Sequence, residues 1–132
     1  MDKDFQRGLV EASQYHQSFI MMTENKGQFD AKQAAHCVER AESIYQALLN
    51  EDIDNPIVTY QLATLYMQTN RNGLAVQLLK PLCDRADAKL EWFNNLGAAY
   101  RNEHYNAEAR DAFQKALGIQ VHPDVLANPC AL

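Results

Sequence analysis

The chain has 132 residues, of which 47% are hydrophobic and 22% charged, a composition typical of a globular protein with its own core. Its formal net charge is −5, with 12 Lys and Arg residues dispersed among 17 carboxylates, which argues against a nucleic-acid or anionic membrane surface as partner. No segment approaches the ~18 apolar residues of a spanning helix, and Cys37, Cys83 and Cys130 show no paired spacing, so we expect reduced thiols and a cytoplasmic protein.

The amino-terminal part of the chain predicts two helices. From Phe5 to Phe19 the apolar positions step by three or four residues, which places them on one face of a helix over 3–22. A polar run containing glycine then ends this helix. Asp30 is expected to cap a second helix that extends to about Asn50.

The central part predicts a helical hairpin. Pro56 suits the first position of a helix over 56–69, because its missing amide hydrogen leaves no unmade bond there. A polar break at 70–73 separates it from a helix over 74–83. Pro81 lies inside that helix, where it removes a hydrogen bond and clashes one turn back, so an early end or a kink is expected.

The last part predicts another hairpin, with helices over 88–102 and 107–118. Gly118 is the expected stop of the second helix. Residues 124–132 allow two interpretations, an ordered or frayed tail and the start of a further helix. The second interpretation comes from the Asn-Pro pair at 128–129, which repeats the pair that opens the central hairpin.

Four apolar positions recur three times at one fixed interval, with their first members at positions 41, 75 and 109. They are Ala41, Ile44, Tyr45 and Leu48; Ala75, Leu78, Leu79 and Leu82; and Ala109, Ala112, Phe113 and Ala116. A fixed period of about 34 residues indicates helical hairpins, each of which buries its apolar face by stacking on the next.

Two segments resemble the tetratricopeptide repeat family, which places a bulky aromatic, Leu, Gly, Tyr, Ala and Phe at fixed offsets. Residues 90–123 match at Phe93, Leu96, Gly97, Tyr100, Ala109 and Phe113. Residues 56–89 match more loosely, at Thr59, Leu62, Ala63, Tyr66, Ala75 and Leu79. The resemblance implies an all-α fold in one domain, 1–132: a right-handed superhelical stack of about three antiparallel helix hairpins, an α-solenoid.

The departures from the family pattern are specific. Thr59 replaces the usual aromatic residue, Pro81 interrupts a helix, and the closing proline falls late, at Pro123. Only the second helix of the first unit, 32–50, matches the family, and the loop before it is about ten residues too long. Residues 3–50 are therefore expected to form an atypical first hairpin.

The resemblance also implies a binding surface, because the inner helices of such a stack line a concave face that receives a peptide or protein segment. The residues implied for that face are Tyr60, Gln61, Thr64, Met67, Gln68, Asn94, Asn95, Ala98, Arg101 and Asn102. They are rich in amides, which both donate and accept hydrogen bonds and so suit the backbone of an extended peptide. The alternative is an ordinary solvated polar face.

Two known uses of this face can be compared with the sequence. Asn95 looks like the asparagine of the peptide-binding ladder in the repeat domain of O-linked N-acetylglucosamine transferase, but Gln61 stands one repeat earlier. The carboxylate clamp of heat-shock co-chaperones needs Lys and Arg on successive inner helices, and only Arg101 fits. Thr64 and Gln68 bring no charge, so a receptor for acidic chaperone tails is not expected.

Trp92 allows two interpretations. It is either an exposed binding anchor or, the favoured interpretation, packed against the preceding repeat near Leu82.

The sequence lacks the motifs of metal binding and catalysis. No His or Cys pair has metal-ligand spacing, and there is no phosphate loop, nucleophile elbow or zinc helix motif. We therefore expect no metal site, no cofactor and no enzymatic activity of this chain's own.

The sequence thus predicts a protein-interaction module, an adaptor or scaffold, that binds a peptide or protein segment on the concave face of a repeat stack. One alternative is the N-terminal repeat region of a larger enzyme, such as a glycosyltransferase. Another is a bacterial secretion chaperone. Self-association through the C-terminal end is also open, because an incomplete last repeat would expose apolar residues such as Val125 and Leu126.

Overall fold

The computed structural model describes residues 3–25 and 30–127, and all of their side chains except those of 120–127. Within these residues the chain forms six α-helices and no strand, which confirms the all-α prediction. The helices are α1 (Lys3–Glu24), α2 (Ala31–Glu51), α3 (Pro56–Gln68), α4 (Asn72–Cys83), α5 (Leu90–Asn102) and α6 (Asn106–Ala127). None of the described helices is long and apolar enough to cross a membrane.

The chain divides into two compact units, and the boundary between Leu65 and Tyr66 falls within α3. The first unit contains α1, α2 and most of α3. The second contains the end of α3 together with α4, α5 and α6.

Local sequence signals fix the start of two helices. The Asp30 carboxylate accepts hydrogen bonds from the amides of Lys32, at 2.9 Å, and Gln33, at 3.3 Å, so it caps α2 as predicted. Pro56 is the first residue of α3, also as predicted. Ahead of it, the Asn55 side-chain oxygen accepts from the Val58 amide at 3.1 Å.

The core of the first unit includes the facing sides of α1 and α2. The buried residues are Phe5, Ala12, His16 and Phe19 of α1, and Ala34, Cys37, Ala41, Tyr45 and Leu48 of α2. They follow the helical spacing of three and four residues, as predicted for α1. The Nδ1 atom of His16 lies 3.1 Å from the Tyr45 hydroxyl, so this core contains a buried polar bond.

The backbone conformation repeats with the same 34-residue period as the sequence. Asn70 and His104, which are one period apart, both adopt left-handed backbone angles, with φ of 61° and 66°. In both turns the amide of the next residue donates to the carbonyl four residues before the left-handed one, at 2.7 and 2.9 Å. This is the hydrogen bond that closes a helix in a Schellman motif. The helices α3 and α5 therefore end in the same kind of turn.

The helix starts repeat in the same way. The helices α3 and α5 begin at Pro56 and Leu90, and each has 13 residues. The helices α4 and α6 begin at Asn72 and Asn106. The two starts in each pair are again one period apart.

The recurrent apolar positions are largely buried, which confirms their interpretation as a core pattern. Ala41 and Ala75 are 0% exposed, and Ala109 is 4% exposed. The last position of the pattern is buried in all three cases, as Leu48, Leu82 and Ala116. Small residues at the first position allow helix backbones to approach closely.

Three helix boundaries are displaced by two residues from the predictions: α1 ends at Glu24, α4 begins at Asn72 and α5 begins at Leu90. The helix α4 begins at Asn72 and includes Gly73, because no positive φ is needed at that glycine. It includes Pro81 and ends at Cys83, the predicted last residue, so the helix does not end earlier at the proline, and a kink there stays a prediction.

The helix α6 differs more. It continues to Ala127, so the predicted stop at Gly118 is wrong. Glycine permits the left-handed conformation but does not impose it, and in a helix interior it costs only about 1 kcal/mol. Positions 124–127 therefore continue α6. The Asn-Pro pair at 128–129 lies outside the described residues.

Candidate partner-binding site

The residues predicted for partner binding are divided between the two units. Tyr60, Gln61 and Thr64 belong to the first, and Met67, Gln68, Asn94, Asn95, Arg101 and Asn102 belong to the second. Every one of them is exposed or half-buried, so none is consumed by the core. Their joint use by one ligand stays a prediction.

On α5 the accessible members share one side of the helix. Each residue advances by about 100° around an α-helix, so positions 94, 95, 98, 101 and 102 fall within roughly one third of its circumference. We call the side formed by Asn94, Asn95, Ala98, Arg101 and Asn102 the α5 polar face. Trp92, Leu96 and Ala99 are buried and lie away from it.

Two side chains of the α5 polar face are held by neighbouring helices of the second unit. The Arg101 guanidinium lies over the Phe113 ring, 5.8 Å from its centroid. The Asn102 amide donates to the Asn72 side-chain oxygen at 3.1 Å, and the buried Asn72 in turn donates to Asn70 at 3.2 Å. The C-terminal end of the face is thus ordered by a chain of amide hydrogen bonds.

Sequence reasoning missed the role of Asn72, which it treated as part of a polar break. The available signal was its alignment with Asn106, one period later. Asn72 is 4% exposed and therefore belongs to the interior of the second unit.

In the first unit, the Thr64 hydroxyl donates to the Gln61 backbone carbonyl at 2.7 Å. A threonine that bonds back to its own helix has its hydroxyl hydrogen committed there. Thr64 therefore offers a partner mainly acceptor capacity, in addition to its methyl group.

The two interpretations of Trp92 are resolved by its burial. Its side chain is 5% exposed, so the hypothesis of an exposed binding anchor is wrong. Val58, one period earlier, is also buried, at 0% exposure. The position is therefore a core position in both α3 and α5.

The second unit contains a cavity of about 620 Å³ that the sequence did not predict. Its apolar lining comes from Phe93, Leu96, Tyr100, Ala107 and Ala112. Charged groups at Lys80, Asp84, Glu108, Asp111 and Lys115, together with the Cys83 thiol, complete the wall. We call this space the α4–α6 cavity, since its lining comes from α4 and the residue that follows it, α5 and α6. Its α5 side chains lie on the side of that helix opposite the polar face.

The electrostatics of the α4–α6 cavity depend on two groups near Cys83. Burial, with a contribution from the Asp84 carboxylate and a smaller opposing one from Lys115, raises the pKa of the Cys83 thiol to about 12. Lys115 also pairs with Asp111 at 3.1 Å. The thiol is therefore neutral at physiological pH.

Two of the described histidines, His16 and His36, contact aromatic side chains. His16 bonds Tyr45, and His36 packs edge to face with Tyr15 at a centroid distance of 6.0 Å. His104 occupies the left-handed turn position, and the side chain of His122 lies outside the described residues. Among the side chains that the structure describes, no group of three or more His, Cys, Asp or Glu residues could hold a metal ion.

No protein-family model matches this sequence, and a search of curated proteins finds no significant match. The two features that bear on function are the α5 polar face and the α4–α6 cavity.

Proposed function

We propose that the chain is a tetratricopeptide-like interaction module, a right-handed α-solenoid of about three hairpins, that binds an extended peptide segment through the α5 polar face. The observation that carries the proposal is the turn shared by Asn70 and His104, which are one period apart. It gives the period of the sequence a physical counterpart, and it supports the family resemblance from which the binding face is inferred.

The chemistry of the α5 polar face suits a peptide backbone. Each asparagine amide offers two donor hydrogens and an acceptor oxygen, which match the carbonyl and amide groups of an extended chain. Asn94 and Asn102 are eight residues apart, or about 12 Å along the helix axis. This distance corresponds to about four residues of an extended peptide, at roughly 3.3 Å each.

The charge of the face limits the class of partner. Arg101 is its single charged residue, and the two units together carry a formal net charge of −5. A strongly acidic segment would be repelled by the chain as a whole. The proposed partner is therefore a neutral or weakly basic peptide segment that the α5 polar face recognises mainly through its backbone.

The same proposal places the module in the cytoplasm and gives it no catalytic step of its own. Two observations support a reducing location: Cys37 is a free and buried thiol, and Cys83 is a free, half-buried thiol. A binding module needs only a surface, and the α5 polar face provides one.

The test begins with a selection of peptides from a random dodecapeptide library on the full 132-residue chain. Affinities of the selected peptides are then measured by isothermal titration calorimetry for the wild type and for the double variant Asn95→Ala, Arg101→Ala. The matched control is Arg110→Ala, Gln114→Ala, which removes an arginine and an amide from exposed positions of α6. Helix content and thermal unfolding are recorded for all three proteins.

We expect the first double variant to weaken binding about tenfold, because two hydrogen bonds of ~0.5–1.5 kcal/mol each are lost. The control should bind like the wild type. Equal affinity of the wild type and of the Asn95, Arg101 variant for every selected peptide would contradict the assignment of the α5 polar face.

A further inference from the structure

We propose that the α4–α6 cavity is a second interaction site, which binds a peptide segment in which a large apolar side chain is followed by an arginine. The cavity lies within the second unit, on the side of α5 opposite the polar face. The inference does not depend on the function proposed for the polar face.

The size and lining of the cavity favour an apolar side chain. A volume of about 620 Å³ falls in the ~300–1,000 Å³ range of ligand pockets. Phe93, Leu96 and Tyr100 supply apolar surface from α5, with the spacing of three and four residues that aligns them on one side of the helix. Ala107 and Ala112 leave room opposite them, because their side chains end at Cβ.

The charges around the cavity favour a cation beside that apolar group. Asp111 and Lys115 neutralise each other at 3.1 Å. The remaining charged lining is Lys80, Asp84 and Glu108. These three side chains together carry a net charge of −1.

The two carboxylates of that remaining set stand on different walls. Asp84 follows the last residue of α4, and Glu108 lies in the first turn of α6. Neither carboxylate forms an ion pair with a side chain in the described part of the protein. A planar guanidinium is the cation that best matches carboxylate geometry, because its donors form a fixed fork.

The aromatic side chains add to this preference. The faces of the Phe93 and Tyr100 rings carry the negative side of the aromatic quadrupole, which attracts a cation. The neutral Cys83 thiol adds no charge of its own to the wall. An acidic segment would meet both the carboxylates and the net charge of −5 of the chain.

The test uses two blocked dipeptides that differ only in the charged residue, N-acetyl-Phe-Arg-amide and N-acetyl-Phe-Glu-amide. Each is titrated into the ¹⁵N-labelled full chain, and backbone amide shifts are followed by NMR. We expect saturable shifts at Cys83, Leu96, Tyr100 and Ala112, with the arginine probe binding about threefold more tightly, as for an exposed charge pair.

Two variants examine the apolar and the charged parts separately. Ala107→Leu fills the cavity from an exposed position and should weaken both probes about fivefold or more. Its control is Ala35→Leu, at an exposed position of α2 in the first unit. Glu108→Gln should bring the two probe affinities close together, and its control is Glu91→Gln, which also removes an acidic residue from the first turn of a helix.

Four results would overturn the proposal. The first two are the absence of saturable shifts and equal affinity of the wild type for the two probes. The third is unchanged probe affinity in a folded Ala107→Leu variant. The fourth is a set of shifts at the cavity residues that depends on protein concentration in the absence of probe, which would mean that a second copy fills the space. If Ala107→Leu does not fold, the Glu108→Gln comparison decides. The Asn95→Ala, Arg101→Ala variant should retain probe binding, so failure of this proposal is distinguishable from failure of the polar-face proposal.

Discussion

The Phe113 ring occupies the space that a Cβ atom on Gly97 would need. A Cβ built there would lie 2.7 to 2.9 Å from three carbon atoms of the ring, closer than real Cβ contacts. Gly97 therefore allows α5 and α6 to pack with an aromatic side chain between them. Both residues belong to the positions at which the sequence resembles the tetratricopeptide repeat.

Gly97→Ala should consequently lower the free energy of unfolding by about 1–3 kcal/mol, because the ring must move or the helices must separate. Gly118→Ala is the matched control, since a Cβ at that position has no neighbour within 4 Å. It should stabilise the protein by ~0.5–1 kcal/mol through the higher helix propensity of alanine. Urea unfolding followed by circular dichroism measures both, and equal effects of the two substitutions would contradict the steric argument.

The repeated turns predict a second pair of stability changes. Asn70→Ala should destabilise the protein by about 1 kcal/mol, because alanine tolerates the left-handed conformation less well than asparagine. It also removes the side-chain oxygen that accepts from Asn72 at 3.2 Å. His104→Gly should be neutral or stabilising by up to about 1 kcal/mol, because glycine adopts positive φ without strain. Thermal unfolding of both variants checks the signs, and a destabilising His104→Gly would show that its imidazole has a role beyond the turn.

The buried bond between His16 and Tyr45 predicts a specific cost of removing one hydroxyl. Tyr45 is 0% exposed, and its hydroxyl lies 3.1 Å from the Nδ1 atom of His16. Tyr45→Phe should lower the free energy of unfolding by about 1–2 kcal/mol, because buried polar groups lose a partner. Tyr15→Phe, on a half-buried ring of the same helix pair, should change it by less than ~0.5 kcal/mol. Chemical denaturation of both variants tests the difference.

The Cys83 thiol predicts a loss of stability at alkaline pH. Its pKa is raised from 9.0 to about 12 in the folded protein, so above pH 9 the unfolded chain releases this proton while the native chain retains it. The stabilising contribution is complete below pH 9 and is lost as pH rises toward 12. The slope has an upper limit of about 1.4 kcal/mol per pH unit.

Cys83→Ala should remove this part of the slope, and Cys37→Ala is the control. Urea unfolding at intervals between pH 8 and 11, within the range where the thiol titrates, measures the difference between the two variants. Burial also raises the pKa of Tyr45, which contributes in the same direction to every protein compared. Parallel pH profiles for the wild type and Cys83→Ala would contradict the assignment.

Local signals in the sequence were sufficient for most of the helices. Asp30 and Pro56 marked helix starts because capping and proline geometry depend only on neighbouring residues. Gly118 failed as a stop because glycine merely permits a helix to end. Trp92 could be placed on α5 from the sequence, whereas its burial required the packing of the helices.

The candidate sites were likewise predictable from the sequence only in part. The accessible residues of the α5 polar face could be identified in advance, because the side of a helix on which a residue lies follows from its position. The hydrogen bond from Asn102 to Asn72 could not, since it joins side chains from different helices 30 positions apart. Nor could the α4–α6 cavity, whose volume depends on the space that Ala107 and Ala112 leave opposite α5.

Periodic apolar positions and local caps were enough to predict a helical protein with a fixed period of about 34 residues. Which polar groups are buried, as with His16 and Asn72, and where a cavity opens in the second unit became visible only in the folded chain. Periodicity specifies which side of a helix faces inward, whereas burial and empty volume depend on the distance between helices and on the side chains that meet there.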